Sequence, residues 1–445
     1  MAGTRTNTGK SRAAALVASV CLCLAFGAPA GAQSSGFGCT GLDTSDALPS
    51  VEGEGGMFYR IDPDLMMAHG LTDGNVSALK EFSQALASQG TTLIYLPIPT
   101  KALGQPWQLP RMAGYLGYDQ DVAATVYGES LDQLEGAGVR AVDARAALAA
   151  ASKVAPAFFG TDPRLTAHGA RALARSVAAE IEATPGFVAL PKDQFQTSAG
   201  PKIKLPSAMR FDLQEHCQSP LPYPETSTIV MALGKAPGLL FDGAEAGAQI
   251  ALVGTELTGE PVTGFAAQLQ ELTGLRVAQY SVYGGGAFAA ISSYLTSASF
   301  RDKRPAYLVW EHPIWTQLAA HGDQPMRELI AAAGPECAIA LPMDFDTKAN
   351  VLRAEISTLD QARPHTLLLD TDGAQANSAK FSFMDANGLR RTRTIYRQVD
   401  QLLTGRFYMP MSGLWPEGAY NVEITLDAAL GSAPRLFACR KAEVN

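Results

Sequence analysis

The chain has 445 residues, 47% of them hydrophobic and 18% charged, with a net charge of −8. That acidic balance gives no electrostatic footprint for nucleic acid or an anionic membrane surface. The length points to two or three domains with sizeable cores.

At the start, Arg5, Lys10 and Arg12 make a positive segment without acidic residues. An apolar run over 13–28 follows, and Ala30-Gly31-Ala32 supplies small residues for cleavage before Gln33. This is the three-part pattern of a secretory signal peptide, residues 1–32. The run is too short to span a bilayer comfortably, which argues against an uncleaved anchor. Neither Cys21 nor Cys23 follows the small residue that a lipoprotein signal needs. No later apolar run is long enough to cross a membrane, so no span is expected after cleavage. Losing the leader's three positive charges takes the net charge from −8 to −11.

Of six cysteines, Cys21 and Cys23 leave with the leader, and Cys39, Cys217, Cys337 and Cys439 remain. None forms a C-x-x-C pair, which argues against zinc or redox chemistry, and no metal or other cofactor is called for. An even set of widely spaced cysteines in an exported protein reads as two structural disulfides, with three connectivities open. The expected compartment is a bacterial periplasm.

Over 33–343 the pattern alternates buried-strand runs with helical stretches. The strand runs are 91–99, 139–144, 249–254, 275–282 and 306–311; helices are predicted over 76–89, 167–183 and 265–273. This alternation specifies an α/β fold, a doubly wound parallel sheet covered on both faces. The segment 190–224, rich in Lys, Pro, Ser and Gln, breaks the rhythm and reads as an insertion or small cap that Cys217 ties down. From 344 to 445, short alternating strands separated by DG, NG and PEG turns predict a C-terminal β-sandwich.

Ligands of doubly wound sheets bind beyond the carboxyl ends of the strands. Two such places stand out. The first is Val253-Gly254-Thr255-Glu256, where a strand runs into a polar turn. The second is Asp162-Pro163-Arg164-Leu165-Thr166, which opens the 167–183 helix with Thr166 as its N-cap. Here the chain resembles the periplasmic alginate O-acetyltransferase family of AlgX and AlgJ, with its SGNH-hydrolase-like domain. The residues that carry the resemblance begin with the Gly-rich stretch before Met57-Phe58, Pro97-Ile98-Pro99-Thr100-Lys101 and Tyr118-Asp119. They continue through Gly238-Leu239-Leu240-Phe241-Asp242, Val253-Gly254-Thr255, Gly284-Gly285-Gly286 and Trp310-Glu311. The closing sandwich takes the place of the carbohydrate-binding module that AlgX has and AlgJ lacks.

The resemblance implies an Asp-x-His pair at the helix opening and a Ser after the V-G-T strand end, which together pass an acetyl group to a sugar hydroxyl. On this chain the Asp position is Asp162, the His position is Arg164 and the Ser position is Glu256. Arginine stays protonated and cannot serve as a base. An acylated Glu would be a reactive mixed anhydride. The two changes are complementary in charge, so Asp162, Arg164 and Glu256 are expected to form an ion-paired cluster. The resemblance also implies the pairings Cys39–Cys217 and Cys337–Cys439.

A rescued arrangement of Thr255 or Thr258 with His168 is disfavoured, because His168 lies one helical turn past Arg164. His312 reads as a structural histidine and His168 as a surface one. Gly284, Gly285 and Gly286 offer backbone N–H groups for a substrate oxygen, or simply a tight connection. Trp310 and Trp315 face either a sugar or the core. In the sandwich, Arg390, Arg391 and Arg393 on one hairpin, with Trp415, suit an anionic polysaccharide, whereas Tyr396, Phe407 and Tyr408 read mostly as core. The expected role is polysaccharide binding or assembly beside other export or acetylation proteins. The rival is a working acyltransferase or esterase using non-standard residues.

Overall fold

In the computed structural model, the residues described are 35–231, 247–346, 350–360, 363–398, 400–414 and 419–440. The expected signal peptide, Trp415 and the Gly238–Asp242 stretch lie outside them.

Four parallel strands form the central sheet in the order Thr92–Ile98, Tyr307–Pro313, Ile250–Gly254, Val277–Ser281. They are short and mostly apolar, with Thr92, Gln279, Ser281, Glu311 and His312 as the polar exceptions. Successive side chains alternate between two cores, as strand geometry requires. Leu93, Tyr95, Ala251, Val253, Leu308 and Trp310 face one core, with helices Asp73–Ala87, Ala289–Leu295 and Gln324–Ala333. Ile94, Leu96, Ile250, Leu252 and Val309 face the other, with helices Ala144–Ala151, Ala167–Glu182 and Phe265–Thr273. Helices on both faces give the doubly wound α/β architecture expected of this sequence.

The 139–144 run departs from its expected strand. It pairs with the sheet only at Ala141 opposite Tyr95. Asp143 ends it by turning to cap the next helix, its side chain accepting from Ala146 N at 2.8 Å. In the 190–224 region, strand Thr197–Lys204 pairs antiparallel with Glu225–Met231, and helix Ala208–Gln214 lies between them. Cys39–Cys217 fastens the end of that region to the start of the described chain.

Among the described residues, nine antiparallel strands make the sandwich. A five-stranded sheet (Met343–Asp346, Val351–Glu355, Ala419–Leu426, Ser378–Asp385, Arg390–Tyr396) faces a four-stranded one (Arg406–Pro410, His365–Asp370, Arg435–Arg440, Ile339–Leu341). The His365–Asp370 strand is buried along its whole length rather than alternating. The four-stranded sheet explains this, being covered twice. Leu367, Leu369, Phe407 and Met409 point into the sandwich, while Leu368 and Tyr408 join the core of the α/β module. Cys337–Cys439 adds a covalent tie at the same junction. Among the described residues no helix is long and apolar enough to cross a membrane.

Candidate functional site

The carboxyl ends of the central strands carry the site. Strand Ile250–Gly254 ends where Thr255 caps the short helix Glu256–Gly259. Glu311, from the neighbouring strand, is fully buried under this turn. Its carboxylate accepts from Thr255 N at 2.6 Å, from Thr255 Oγ1 at 3.0 Å and from Thr258 Oγ1 at 3.1 Å. A Cβ at Gly254 would lie 2.3 Å from Glu311 Oε2, so the close approach requires glycine there.

Burial outweighs those three donors and pushes the Glu311 carboxyl up to about 7 from 4.5. Such a group takes up a proton on folding between the two values. Its stabilising contribution is complete below about pH 4.5 and is lost as the pH rises toward 7. The swing is on the order of 3 kcal/mol. Glu311→Gln removes the titration while keeping an acceptor. The stability of the wild type relative to this variant is therefore expected to fall between about pH 5 and about pH 8, read from urea midpoints. A constant difference across that range would contradict the buried, proton-binding carboxyl.

On the other side of the site, Lys101 shapes the loop that carries Asp162. It is buried, and its Nζ donates to the carbonyls of Phe159 (2.6 Å), Gly160 (3.0 Å) and Asp162 (3.3 Å). Burial pushes its ammonium down to about 7. Three carbonyl acceptors are best met by three N–H donors, which favours the charged form in this geometry. Thr166 caps the Ala167–Glu182 helix, its Oγ1 accepting from Gly169 N at 3.1 Å.

Arg164 is the centre of a three-membered ion cluster, but its third member differs from the one expected. Arg164 Nε and Nη2 donate to the two oxygens of Asp162 at 2.8 and 2.9 Å. Nη1 donates to Glu260 Oε2 at 2.6 Å, and Nη2 also reaches the carbonyl of Pro206 at 2.6 Å. Burial opposes the charge, yet Asp162 and Glu260 together raise the guanidinium above its ordinary value. Glu256 is not in the cluster. Its Oε2 accepts instead from Gly284 N at 2.9 Å. The reason is local: Glu256 opens the turn on the side of the 284–286 connection, whereas Glu260, its C-cap, leaves the helical path with ψ of 111° and reaches Arg164.

Gly284 and Gly286 have φ of 72° and 57°, so this connection needs their left-handed backbone. Trp310 belongs to the core, edge-on to Phe82 and Tyr95 at 5.7 and 5.6 Å. Trp315 is half-buried, with the Arg60 guanidinium 5.5 Å above its ring, and Arg60 in turn pairs with Asp64 at 2.8 Å. His312 is buried, its two ring nitrogens 2.5 Å from Tyr95 Oη and 2.7 Å from the Thr316 carbonyl. Exposed His168 lies 3.0 Å from the Ala151 carbonyl and does not approach the Thr255 or Thr258 hydroxyls through any hydrogen bond.

The three arginines share a strand but not a face. Arg391 and Arg393 stand opposite the core residues Phe383 and Phe381, whereas Arg390 stands opposite Met384 on the outer face. Arg393 pairs with Asp323 of the α/β module at 2.9 Å, Arg391 donates to the Gly413 carbonyl at 3.3 Å, and Arg390 lies 3.6 Å from Glu423. Period-two alternation separates side chains that adjacent numbering makes look like one cluster. Phe407 and Tyr408 are buried, as expected, and Tyr396 is exposed.

Between the two modules, an open cleft of about 400 Å³ runs along Gly284–Gly286, Trp315, His321 and Gln398. Three residues of the site carry weight that sequence reasoning did not assign: Lys101, Glu260 and Glu311. Lys101 and Glu311 stand in motifs that carry the family resemblance but without a role there, and Glu260 stands in none of them.

The model of the family described as "SGNH hydrolase-like domain, acetyltransferase AlgX" matches residues 51–314. The chain belongs to this family. It is 28% identical over 290 residues to alginate biosynthesis protein AlgX of Pseudomonas aeruginosa, covering 64% of this chain and 58% of that protein. It is 26% identical over 287 residues to the probable alginate O-acetylase AlgJ of Pseudomonas syringae pv. tomato, covering 62% of this chain and 69% of that protein. The chain thus spans less than two thirds of the AlgX relative's length in the matched region. The solved structure of Pseudomonas aeruginosa AlgX has the same fold, with a TM-score of 0.71 over 89% of this chain and 95% of that one, at 20% identity. That coverage extends the likeness in fold past the AlgX-family domain and into the sandwich.

Proposed function

We propose that the protein is a non-catalytic, polysaccharide-binding member of the AlgX family, exported to a bacterial periplasm and working in the assembly or O-acetylation of an acidic exopolysaccharide. The commitment of Arg164 to Asp162 and Glu260 is the observation that carries this reading. The position that the family resemblance assigns to a base holds a group that cannot accept a proton. The position assigned to the nucleophile holds Glu256, which ties up the Gly284 N–H that an oxyanion would need. The nearby hydroxyls, Thr255 and Thr258, are buried against Glu311, out of reach of a substrate.

The inter-module cleft supports the polymer side of the reading. Trp315 offers a ring face, and His321 and Gln398 offer polar contacts on a path open to solvent. Arg390, on the outer sheet face, adds positive charge for a uronate carboxylate. The residues do not choose among acidic polymers; alginate is the one named for the relatives. Other export or acetylation proteins of the same compartment are the proposed partners.

The test is hydrolysis of 4-nitrophenyl acetate by the purified protein beside a Glu256→Ser, Arg164→His, Glu260→Gln variant. Glu260 is included because losing Arg164 strands its carboxylate. The wild type is expected to match the buffer rate and the variant to exceed it. Turnover by the wild type would establish the rival reading, an esterase or acyltransferase with non-standard residues. In affinity electrophoresis, retardation by alginate but not by dextran, weakening with salt, is expected. Equal mobility in both gels would remove the polymer-binding part.

A further inference from the structure

A second cavity, of about 300 Å³, lies at the junction of the two modules and shares no residue with the 284–286 cleft. One wall is a stripe of the Asp73–Ala87 helix and another a stripe of the Gln324–Ala333 helix; the ends of three sandwich strands close it. Ala85, Ile330, Pro335 and Pro410 make apolar surface. Among the described residues, two guanidinium groups, Arg327 and Arg440, line the cavity against one carboxylate, Glu81.

Arg327 is the unusual member. Its Nη2 donates to the Ser412 carbonyl at 2.7 Å, while its buried Nε has no acceptor among the described residues. Burial and the nearby charge of Arg393 both disfavour its positive charge, and Asp323 and Glu81 only partly offset them. A mostly apolar, concave space of this size with a few charged groups is the usual form of a small-ligand site. The surplus of positive charge sets the sign of the ligand.

We propose that this cavity binds a compact organic carboxylate, its charged end recognised by Arg327 and Arg440 and its apolar body held against Ala85 and Ile330. Because the lining comes from both modules, the ligand stabilises their junction as well as occupying a site. This inference does not depend on the reading of the Arg164 cluster or on polymer binding.

Benzoate is the probe, and benzamide, with the same shape and no charge, is its control. Titration calorimetry on the full chain at low salt is expected to show saturable, millimolar binding of benzoate, with benzamide at least tenfold weaker. Arg440 is at an exposed strand end, so Arg440→Gln leaves the fold intact and is expected to weaken benzoate about tenfold. Ala331→Phe fills the cavity and abolishes binding, provided its circular dichroism matches the wild type. Benzoate should also raise the melting temperature of the wild type but not of a folded Ala331→Phe variant. The proposal is overturned if benzoate fails to saturate by tens of millimolar, if benzamide binds equally well, or if Arg440→Gln leaves the affinity unchanged.

Discussion

Replacing Arg397 by methionine is expected to lower the unfolding free energy by about 3–5 kcal/mol, the usual cost of stranding one partner of a buried ion pair. Arg397 and Glu328 are each 3% exposed at the side chain, and the guanidinium grips both oxygens of the carboxylate, Nη2 reaching Oε1 at 2.7 Å. Glu328 also accepts from Tyr408 N at 3.2 Å; Arg397 donates to the Arg406 carbonyl at 2.7 Å and lies 4.5 Å from the Phe407 ring centre. The pair joins the Gln324–Ala333 helix of one module to the sandwich of the other. Without Arg397 the carboxylate keeps, among the described residues, the Tyr408 N–H alone, which cannot replace a bidentate partner. Glu328→Gln alone should also destabilise, by leaving the guanidinium buried without its counter-charge. The double variant should cost less than the sum of the singles, which isolates the coupling. Urea midpoints with both disulfides intact measure all three. A loss below about 1 kcal/mol for Arg397→Met would mean that water reaches the pair in solution. Gln398, the next residue, lines the inter-module cleft, so the same variant is expected to weaken retention by alginate as well.

Strands and helices of the α/β module were legible because each obeys one dominant rule. The 249–254 and 306–311 runs are apolar on both faces and bounded by breakers, and the structure places strands at Ile250–Gly254 and Tyr307–Pro313. The 265–273 helix has the expected ends because left-handed glycines, Gly264 and Gly274, flank it. What failed was decided by contacts far apart in sequence. Ile339–Leu341 precedes the expected start of the sandwich at 344, yet it pairs with Arg435–Arg440 across about a hundred residues, which no local pattern records. The His365–Asp370 strand looked like part of a one-sided sheet, and only the covering helix explains its continuous burial. Within the site, the type of interaction was legible and its membership was not. Complementary charges at 164 and 256 predicted an ion cluster, but Asp162, Arg164 and Glu260 form it. Which of two carboxylates one helical turn apart meets a given arginine depends on the direction of a four-residue helix, and composition and spacing carry no trace of that.

That membership has its own consequence. Arg164→Met is expected to cost about 3–4 kcal/mol, whereas Glu256→Gln should cost less than about 1 kcal/mol. Arg164 is 13% exposed at the side chain, Glu260 11% and Asp162 4%, so losing the guanidinium leaves two nearly buried carboxylates close together. It also frees the Pro206 carbonyl, which the same guanidinium binds within the 190–224 segment. Glu256 is half-buried and holds a single backbone N–H, which a glutamine oxygen accepts equally well. Glu260→Gln should fall between the two, since Asp162 still compensates the arginine. If the order were reversed, with Glu256→Gln the costly change, the cluster in solution would be the one expected from charge complementarity alone. The same set of variants bears on function. Glu256→Gln keeps the Gly284 N–H occupied and should leave retention by alginate unchanged. Arg164→Met loosens the loop behind Asp162 without touching the cleft, so polymer binding should survive wherever the variant is folded. A protein whose polymer binding followed Arg164 rather than the cleft residues Trp315 and Gln398 would hold its ligand at the position that the family resemblance assigns to catalysis instead.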